Sequence, residues 1–360
     1  MNKVFKIGLI GCGHIAETYF RAEKYFNNIK IIKCADINMQ AAKRCAFNYG
    51  IKFLTVNELL KDKEIEIILN LTIPKAHYLI SKKALTNGKH VYSEKPLAIN
   101  LKDGKDLIKL SKKNKLYLGN APDTFLGGGI QKSKELVEKN SIGKIKLGNA
   151  VFAFPGIESY HPNPEPWFAK KVTSTIIQGQ KYRTIGIGPK KGKKFKVECP
   201  TTYLSTITFK NNSVIRLTLS FDVIAHQRNH IELYGEKGSM IVPDPNMFGG
   251  SVLICNKLGS KWREFKTTKM SLGRINIRTQ SSRANEAPTN ANYRGAGLSE
   301  MGYSIENKRK HLCSGEISLH VLEIITSIMK AAKSGKSVSV NTNCAKPKKF
   351  LEIDAKKLLK

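Results

Sequence analysis

Val4-Phe5-Lys6-Ile7-Gly8-Leu9-Ile10-Gly11-Cys12-Gly13-His14-Ile15-Ala16 runs from an apolar segment through a glycine-spaced turn into the start of a helical pattern. The first glycine permits a tight turn, and the second lets backbone approach a pyrophosphate. Ala16 stands in the third glycine's place and allows close helix packing. Amide groups at the helix N-terminus then face phosphate charge. Gly11, Gly13, His14 and Ile15 are therefore expected to contact a dinucleotide. The next strand ends on an acid, Asp36, placed to accept hydrogen bonds from an adenosine ribose. Its carboxylate opposes a 2′-phosphate, and no arginine follows in Asp36-Ile37-Asn38. The expected cofactor is NAD rather than NADP.

Outward from this turn, strand and helix patterns alternate. Strands are expected at Ile29–Ala35, Ile65–Leu71, His90–Tyr92 and Leu116–Leu118, with helices at His14–Phe26, Met39–Asn48, Lys75–Thr86 and Leu101–Asn114. The β-branched, apolar run over 65–71 suits a strand buried on both faces of a parallel sheet. Repeated βα units imply a doubly wound sheet with right-handed crossovers. After about residue 123 the rhythm changes. One helix (Ile130–Lys139) leads into a strand (Ile145–Phe154), a Pro-rich loop and then alternating strands, with Asn211-Asn212 read as a hairpin turn because Asn tolerates positive φ. An amphipathic helix is expected over Ile317–Ala332, with Ile317, Val321, Ile324 and Ile328 on its apolar face. The fold class is α/β: an N-terminal Rossmann domain over residues 1–122, and a C-terminal α+β domain with a largely antiparallel open sheet over 123–360, serving substrate binding and oligomerisation.

Bulk properties narrow the function. A 360-residue chain with 41% hydrophobic residues suits two packed domains. Lys6 interrupts the opening apolar stretch, which argues against a secretion signal, and no apolar run approaches a membrane span. A cytoplasmic protein with no membrane partner is expected. The net charge is +33, carried by 50 lysines and 11 arginines spread along the chain. Nucleic-acid readers concentrate arginine on a stripe, so this charge is read as a solvated surface without a specific nucleic-acid partner. The seven cysteines are scattered, with no CxxC pair, and are read as reduced thiols without a metal site.

Further motifs carry a family resemblance. Thr72-Ile73-Pro74-Lys75-Ala76-His77 follows one strand, and Glu94-Lys95-Pro96 follows the next. With the glycine turn, and with Ala121-Pro122-Asp123-Thr124-Phe125 and His161-Pro162-Asn163-Pro164, the chain resembles the Gfo/Idh/MocA oxidoreductases (glucose-fructose oxidoreductase, inositol dehydrogenase and relatives). The resemblance implies hydride transfer between nicotinamide and a CH–OH carbon of a sugar or polyol, in a homo-oligomer. It places Thr72, Pro74 and His77 beside the nicotinamide half of the cofactor, and Glu94 and Lys95 where cofactor and substrate meet. A lysine ammonium there can stabilise alkoxide-like charge on the reacting oxygen. Asp123, Thr124, Tyr160 and His161 are expected to line the substrate pocket.

The sequence departs from the family in one segment. Relatives carry a Gly-Gly-Gly-x-x-x-Asp-x-Gly stretch, then a His or Tyr, which supplies the usual acid–base residue facing Lys95. Here Trp167-Phe168-Ala169-Lys170-Lys171 passes directly to Val172-Thr173-Ser174-Thr175. His161 is then the replacement proton acceptor, with Tyr160 as an alternative. A non-catalytic NAD-binding sensor of the same family is the other reading that this gap leaves open.

Overall fold

In the computed structural model, residues 3–154, 174–274 and 291–360 are described. Six strands form the first sheet: β1 (Phe5–Ile10), β2 (Ile29–Ala35), β3 (Lys52–Phe53), β4 (Ile67–Asn70), β5 (His90–Ser93) and β6 (Leu118–Asn120). Their order is β3-β2-β1-β4-β5-β6, and every pairing is parallel. The order reverses between β1 and β4, which opens a crevice beyond their carboxyl ends. Between the strands run α1 (His14–Glu23), α2 (Met39–Tyr49), α3 (Val56–Lys61), α4 (Pro74–Thr86) and α5 (Leu101–Lys113).

The β4 sequence is buried on both faces. Ile67 and Leu69 join one core cluster with α1 residues, while Ile68 joins a second with Leu59 and Leu60 of α3, Ala84 and Leu85 of α4 and Leu107 of α5. Alternation along a strand sends neighbours to opposite layers. That is why the run could be apolar without interruption.

A short 3-10 turn (Thr124–Leu126) and α6 (Gly128–Glu138) lead to β7 (Ile145–Ala153). The second sheet adds β8 (Thr175–Ile177), β11 (Thr202–Thr208), β12 (Val214–Ser220), β13 (Ile231–Gly235), β14 (Gly238–Val242), β15 (Val252–Cys255) and β16 (Arg263–Phe265). Beside it, β9 (Tyr182–Thr184) and β10 (Lys194–Lys196) form a separate hairpin. Its order is β16-β15-β14-β13-β7-β12-β11-β8, antiparallel except for the β7–β12 pair. Asn212 takes φ 63° in the β11–β12 turn, and Asn211 Oδ1 accepts from the Ser213 amide.

Three helices close the chain: α7 (Ala296–Glu306), α8 (Gly315–Ser334) and α9 (Glu352–Leu358). Ala296, Leu298, Met301, Ala355 and Leu358 share the cluster that contains Phe5, Ile7 and Leu9 of β1. The core of the first layer thus draws on residues that a division at 122/123 assigns to the second unit. The stripe expected on α8 is corrected in part. Leu322 is buried and Leu319 packs with the second cluster, whereas Val321 is 47% exposed. The helix turns toward α5 the face that meets Gly104, which has no side chain to hold it off.

Two histidines around Tyr117 set an acid limit on stability. His90 Nδ1 accepts the Tyr117 amide at 3.0 Å, and His311 Nδ1 is buried with no hydrogen-bond partner among the described residues. Burial pushes each from 6.5 down to about 4. Between these values the unfolded chain binds protons that the native state refuses, so stability rises with pH across that window and is lost as pH falls through it. Each group contributes about 3 kcal/mol at neutral pH. We expect the urea midpoint to fall between pH 6.5 and 4. His90→Asn, whose Oδ1 replaces the acceptor, should flatten that fall; an unchanged slope would remove His90 from the account.

Candidate active site

The motifs meet along one rim. Gly11 and Gly13 follow β1, Asp36 follows β2, Thr72 and Pro74 follow β4, Glu94 and Lys95 follow β5, and Asp123 follows β6. All lie at carboxyl ends of parallel strands, around the point where the strand order reverses.

At Gly11, φ is +104°, and a Cβ would stand 2.6 Å from the Leu71 carbonyl carbon and oxygen. The turn is wedged against the end of β4, so this position admits glycine alone. At Gly13 the requirement differs: its φ is −80°, and a Cβ would meet nothing within 4 Å. Open space therefore lies over the backbone where α1 begins, and no side chain caps that helix end. Its amides remain available to an anion. His14 is exposed there, while Ile15 is partly buried against the core.

Asp36 braces this turn. Its Oδ2 accepts the Cys12 amide at 2.7 Å and its Oδ1 accepts the Asn38 amide at 2.7 Å. Each carboxylate oxygen retains a lone pair for a ribose hydroxyl. Beside it Ile37 is 99% exposed, and Ile73, beyond β4, is 60% exposed. Large apolar side chains left bare on a crevice lip suit a flat ring laid against them. The residues present thus fit an adenine dinucleotide: a bare helix N-terminus, space above Gly13, an acid at the end of β2 and apolar flanks.

The Glu-Lys-Pro turn is held from below. Glu94 is buried, and its Oε1 accepts the Tyr19 hydroxyl of α1 at 3.0 Å, with Arg294 Nη1 at 3.6 Å. Its Oε2 accepts the Lys95 amide at 3.1 Å. Lys95 itself is exposed. Burial opposes the charge of Arg294, yet Glu94 and Asp123 beside it raise its pKa above the ordinary value. Burial likewise raises the Tyr19 hydroxyl, with Glu94 adding to the effect. Sequence reasoning passed over Tyr19 and Arg294, because each meets Glu94 only through the fold.

His77 is placed differently from the expectation of cofactor contact. It is 1% exposed, with Nδ1 2.6 Å from the Pro96 carbonyl and Nε2 2.8 Å from the Thr72 carbonyl. Its ring ties the turn after β4 to the turn after β5 and so positions both. Thr72 is oriented by Asn70, whose Oδ1 accepts the Thr72 hydroxyl at 2.7 Å. Pro74 takes the first position of α4, where its missing N–H costs nothing.

Asp123 and Thr124, expected to line the substrate pocket, are enclosed by the described residues. Both are buried, and Asp123 Oδ2 accepts the amides of Gly295 at 2.9 Å and Gly297 at 3.1 Å. The carboxylate caps the start of α7, where helix amides draw negative charge. Burial nonetheless raises its pKa. Tyr160, His161 and the junction from Lys171 to Val172 lie outside the described residues. A cavity of about 720 Å³ lies at the opposite end of β6, lined by residues such as Lys112, Tyr117, His311 and Phe350. None of the motif residues lines it.

Residues 5–121 match the family model described as oxidoreductase family, NAD-binding Rossmann fold, of the Gfo/Idh/MocA group. Over those residues the chain is similar to the Gfo/Idh/MocA oxidoreductases. It is similar to inositol 2-dehydrogenase/D-chiro-inositol 3-dehydrogenase of Lacticaseibacillus casei, 23% identical over 270 residues that cover 70% of this chain and 76% of that one. A trans-1,2-dihydrobenzene-1,2-diol dehydrogenase of Xenopus tropicalis is 23% identical over 281 residues, covering 73% and 82%. In fold, the chain is similar to a levoglucosan dehydrogenase solved with NADH and L-sorbose. The TM-score is 0.77 at 16% identity, over 95% of this chain and all of that one. The chain is an NAD-binding oxidoreductase. Among its described residues no helix is long and apolar enough to cross a membrane.

Proposed function

We propose that the protein is an NAD-dependent dehydrogenase acting on a CH–OH group of a sugar or polyol. The observation that carries this reading is the convergence of the Gly11–Gly13 turn, Asp36 and the braced Glu94-Lys95 pair on one rim. Inositol and levoglucosan dehydrogenases among the similar proteins support the substrate class. Bound NAD would supply the hydride acceptor. Gly13 and the α1 amides hold its pyrophosphate, and Asp36 its adenosine ribose. Lys95 donates a hydrogen bond to the substrate oxygen and favours its alkoxide character. Glu94, fixed by Tyr19 and Arg294, orients the Lys95 backbone. His161 is the proton acceptor in this scheme, with Tyr160 as its alternative.

The test incubates the full chain with NAD or NADP and a panel of inositols, aldoses, anhydrosugars and linear polyols, following reduced-nicotinamide absorbance. Turnover with NAD on at least one polyol is expected, with NADP weaker because Asp36 repels its phosphate. His161→Ala should lower the rate about 10²–10⁴-fold, the usual worth of a general base. Tight NAD binding without turnover across the panel would overturn the dehydrogenase reading in favour of a sensor.

We also propose that copies of the chain associate through the second sheet. Pairing register sets Leu147, Leu204 and Ile177 on one face, all exposed. Sedimentation should give a dimer or larger assembly, and Leu204→Lys should dissociate it. A monomer at micromolar concentration would sink the idea.

A further inference from the structure

Cys12, Cys34 and Cys45 come from three elements: the glycine turn, β2 and α2. Their sulfur atoms all lie within 4.8 Å of one another. Cys34 is 0% exposed and Cys45 7%, while Cys12 is partly exposed at the turn. All three are free thiols. Cys12 Sγ lies 3.6 Å from the Ala35 carbonyl, and Cys34 Sγ 3.6 Å from the Ala42 carbonyl.

We propose that these three cysteines form a thiolate site for a soft, thiophilic d¹⁰ cation, set behind the dinucleotide turn. Metal–sulfur bonds of about 2.3 Å arranged trigonally set sulfurs about 4 Å apart. The observed spacing reaches that with shifts of less than about 1 Å. Among the described residues no histidine or carboxylate joins the cluster. Asp36, two residues beyond Cys34, is outside the cluster, and its oxygens accept the amides of Cys12 and Asn38. Three sulfurs without a fourth protein ligand suit ions that tolerate trigonal thiolate coordination, such as Cu(I), Ag(I) or Cd(II). Each thiol that ligates releases its proton to solvent. No electron is transferred.

The charge balance couples the site to the cofactor. Three thiolates around a divalent ion leave a net −1, and around a monovalent ion −2. That charge sits behind the turn whose amides face the pyrophosphate, so metal and dinucleotide oppose each other, and the linkage is reciprocal. This coupling rests on the reading of the turn as a dinucleotide cradle; the metal site does not.

The test uses the full chain, reduced by a phosphine, exchanged under nitrogen and titrated with Cd(II). The ultraviolet thiolate-to-cadmium charge-transfer band should saturate at one equivalent and protect three thiols from a thiol reagent. Cys45→Ala should weaken binding by at least about 100-fold, since even outer-shell changes cost 10–100-fold. Cys255→Ser, which removes a thiol outside the cluster, should leave the band intact. A tight band that survives Cys45→Ala, or no band while all three thiols stay reactive, overturns the proposal. NAD affinity is then measured with and without cadmium. Loading should weaken it at least about tenfold, the order expected of a unit charge at an effective dielectric constant near 20. Equal affinity in both states overturns the coupling and leaves the metal site standing. A metal-free protein that does not bind NAD overturns the cradle instead.

Discussion

Replacing Lys95 by methionine is expected to lower kcat by about 10²–10³-fold, the cost of removing one preorganised donor from a developing oxyanion. Methionine keeps the length and apolar stem of lysine and removes only the ammonium, so packing is held nearly constant. The backbone of the turn should stay in place, because its amide is held by Glu94. Glu94 Oε2 accepts the Lys95 amide, and Glu94 is itself fixed by Tyr19 and Arg294. NAD affinity should therefore change little. Two readouts are needed: turnover on the polyol found in the panel, and NAD binding by calorimetry. A loss of turnover with intact binding assigns the ammonium to the chemical step. A parallel loss of both would mean that Lys95 holds the cofactor instead. Turnover within about twofold of the unmodified protein would end its assignment as the polarising group, since the expected effect is larger by more than an order of magnitude.

Legibility followed the range of the constraint. The glycine turn could be read because Gly11 needs a backbone conformation that its local sequence declares, and β4 because both its faces are buried. The Asn211-Asn212 hairpin was legible for the same local reason. Other elements carried a signal that the reading passed over: Thr55 and Glu58 form a capping box at α3, visible as the spacing Thr-x-x-Glu. Helix α7 carried none. It is buried almost all round, so it has no apolar stripe. Its Glu300 is tolerated at 0% exposure because Arg309, Ser304 and the Leu312 amide all bond it.

Within the site, long-range contacts decided what pattern could not. His77 and Asp123 carry the residue types of a binding site. The fold spends both on its own backbone, His77 bridging two turns and Asp123 capping α7. Tyr19 and Arg294 show the reverse case, ordinary residues in sequence that converge on Glu94. The cysteines behave similarly. Without a CxxC spacing they read as scattered, yet the βαβ crossover brings three of them together.

Two glycine substitutions separate the fold of the turn from its use, and the contrast between them is the larger effect. In Gly11→Ala the new methyl would meet backbone on the far side of the turn, at 2.6 Å from the carbonyl carbon and oxygen of Leu71 and 2.7 Å from the Thr72 nitrogen. Backbone cannot swing aside as a side chain does, and φ of +104° adds conformational strain. Overpacking and strain together should cost about 2–5 kcal/mol. The β1–β4 seam would open at Leu71, and the turn that carries the Cys12 amide to Asp36 at the end of β2 would shift with it. Stability and NAD affinity should fall together, the latter by 100-fold or more on the scale of about 1.4 kcal/mol per tenfold. In Gly13→Ala the backbone is extended and the methyl meets nothing within 4 Å. The unfolding midpoint should be unchanged or slightly raised, because alanine has less freedom to lose. If the pyrophosphate occupies the space above Gly13, that methyl intrudes on it, and NAD affinity should drop by at least about tenfold. A Gly13→Ala protein that melts like the unmodified chain and still binds NAD with full affinity would show that the open space is not the cradle.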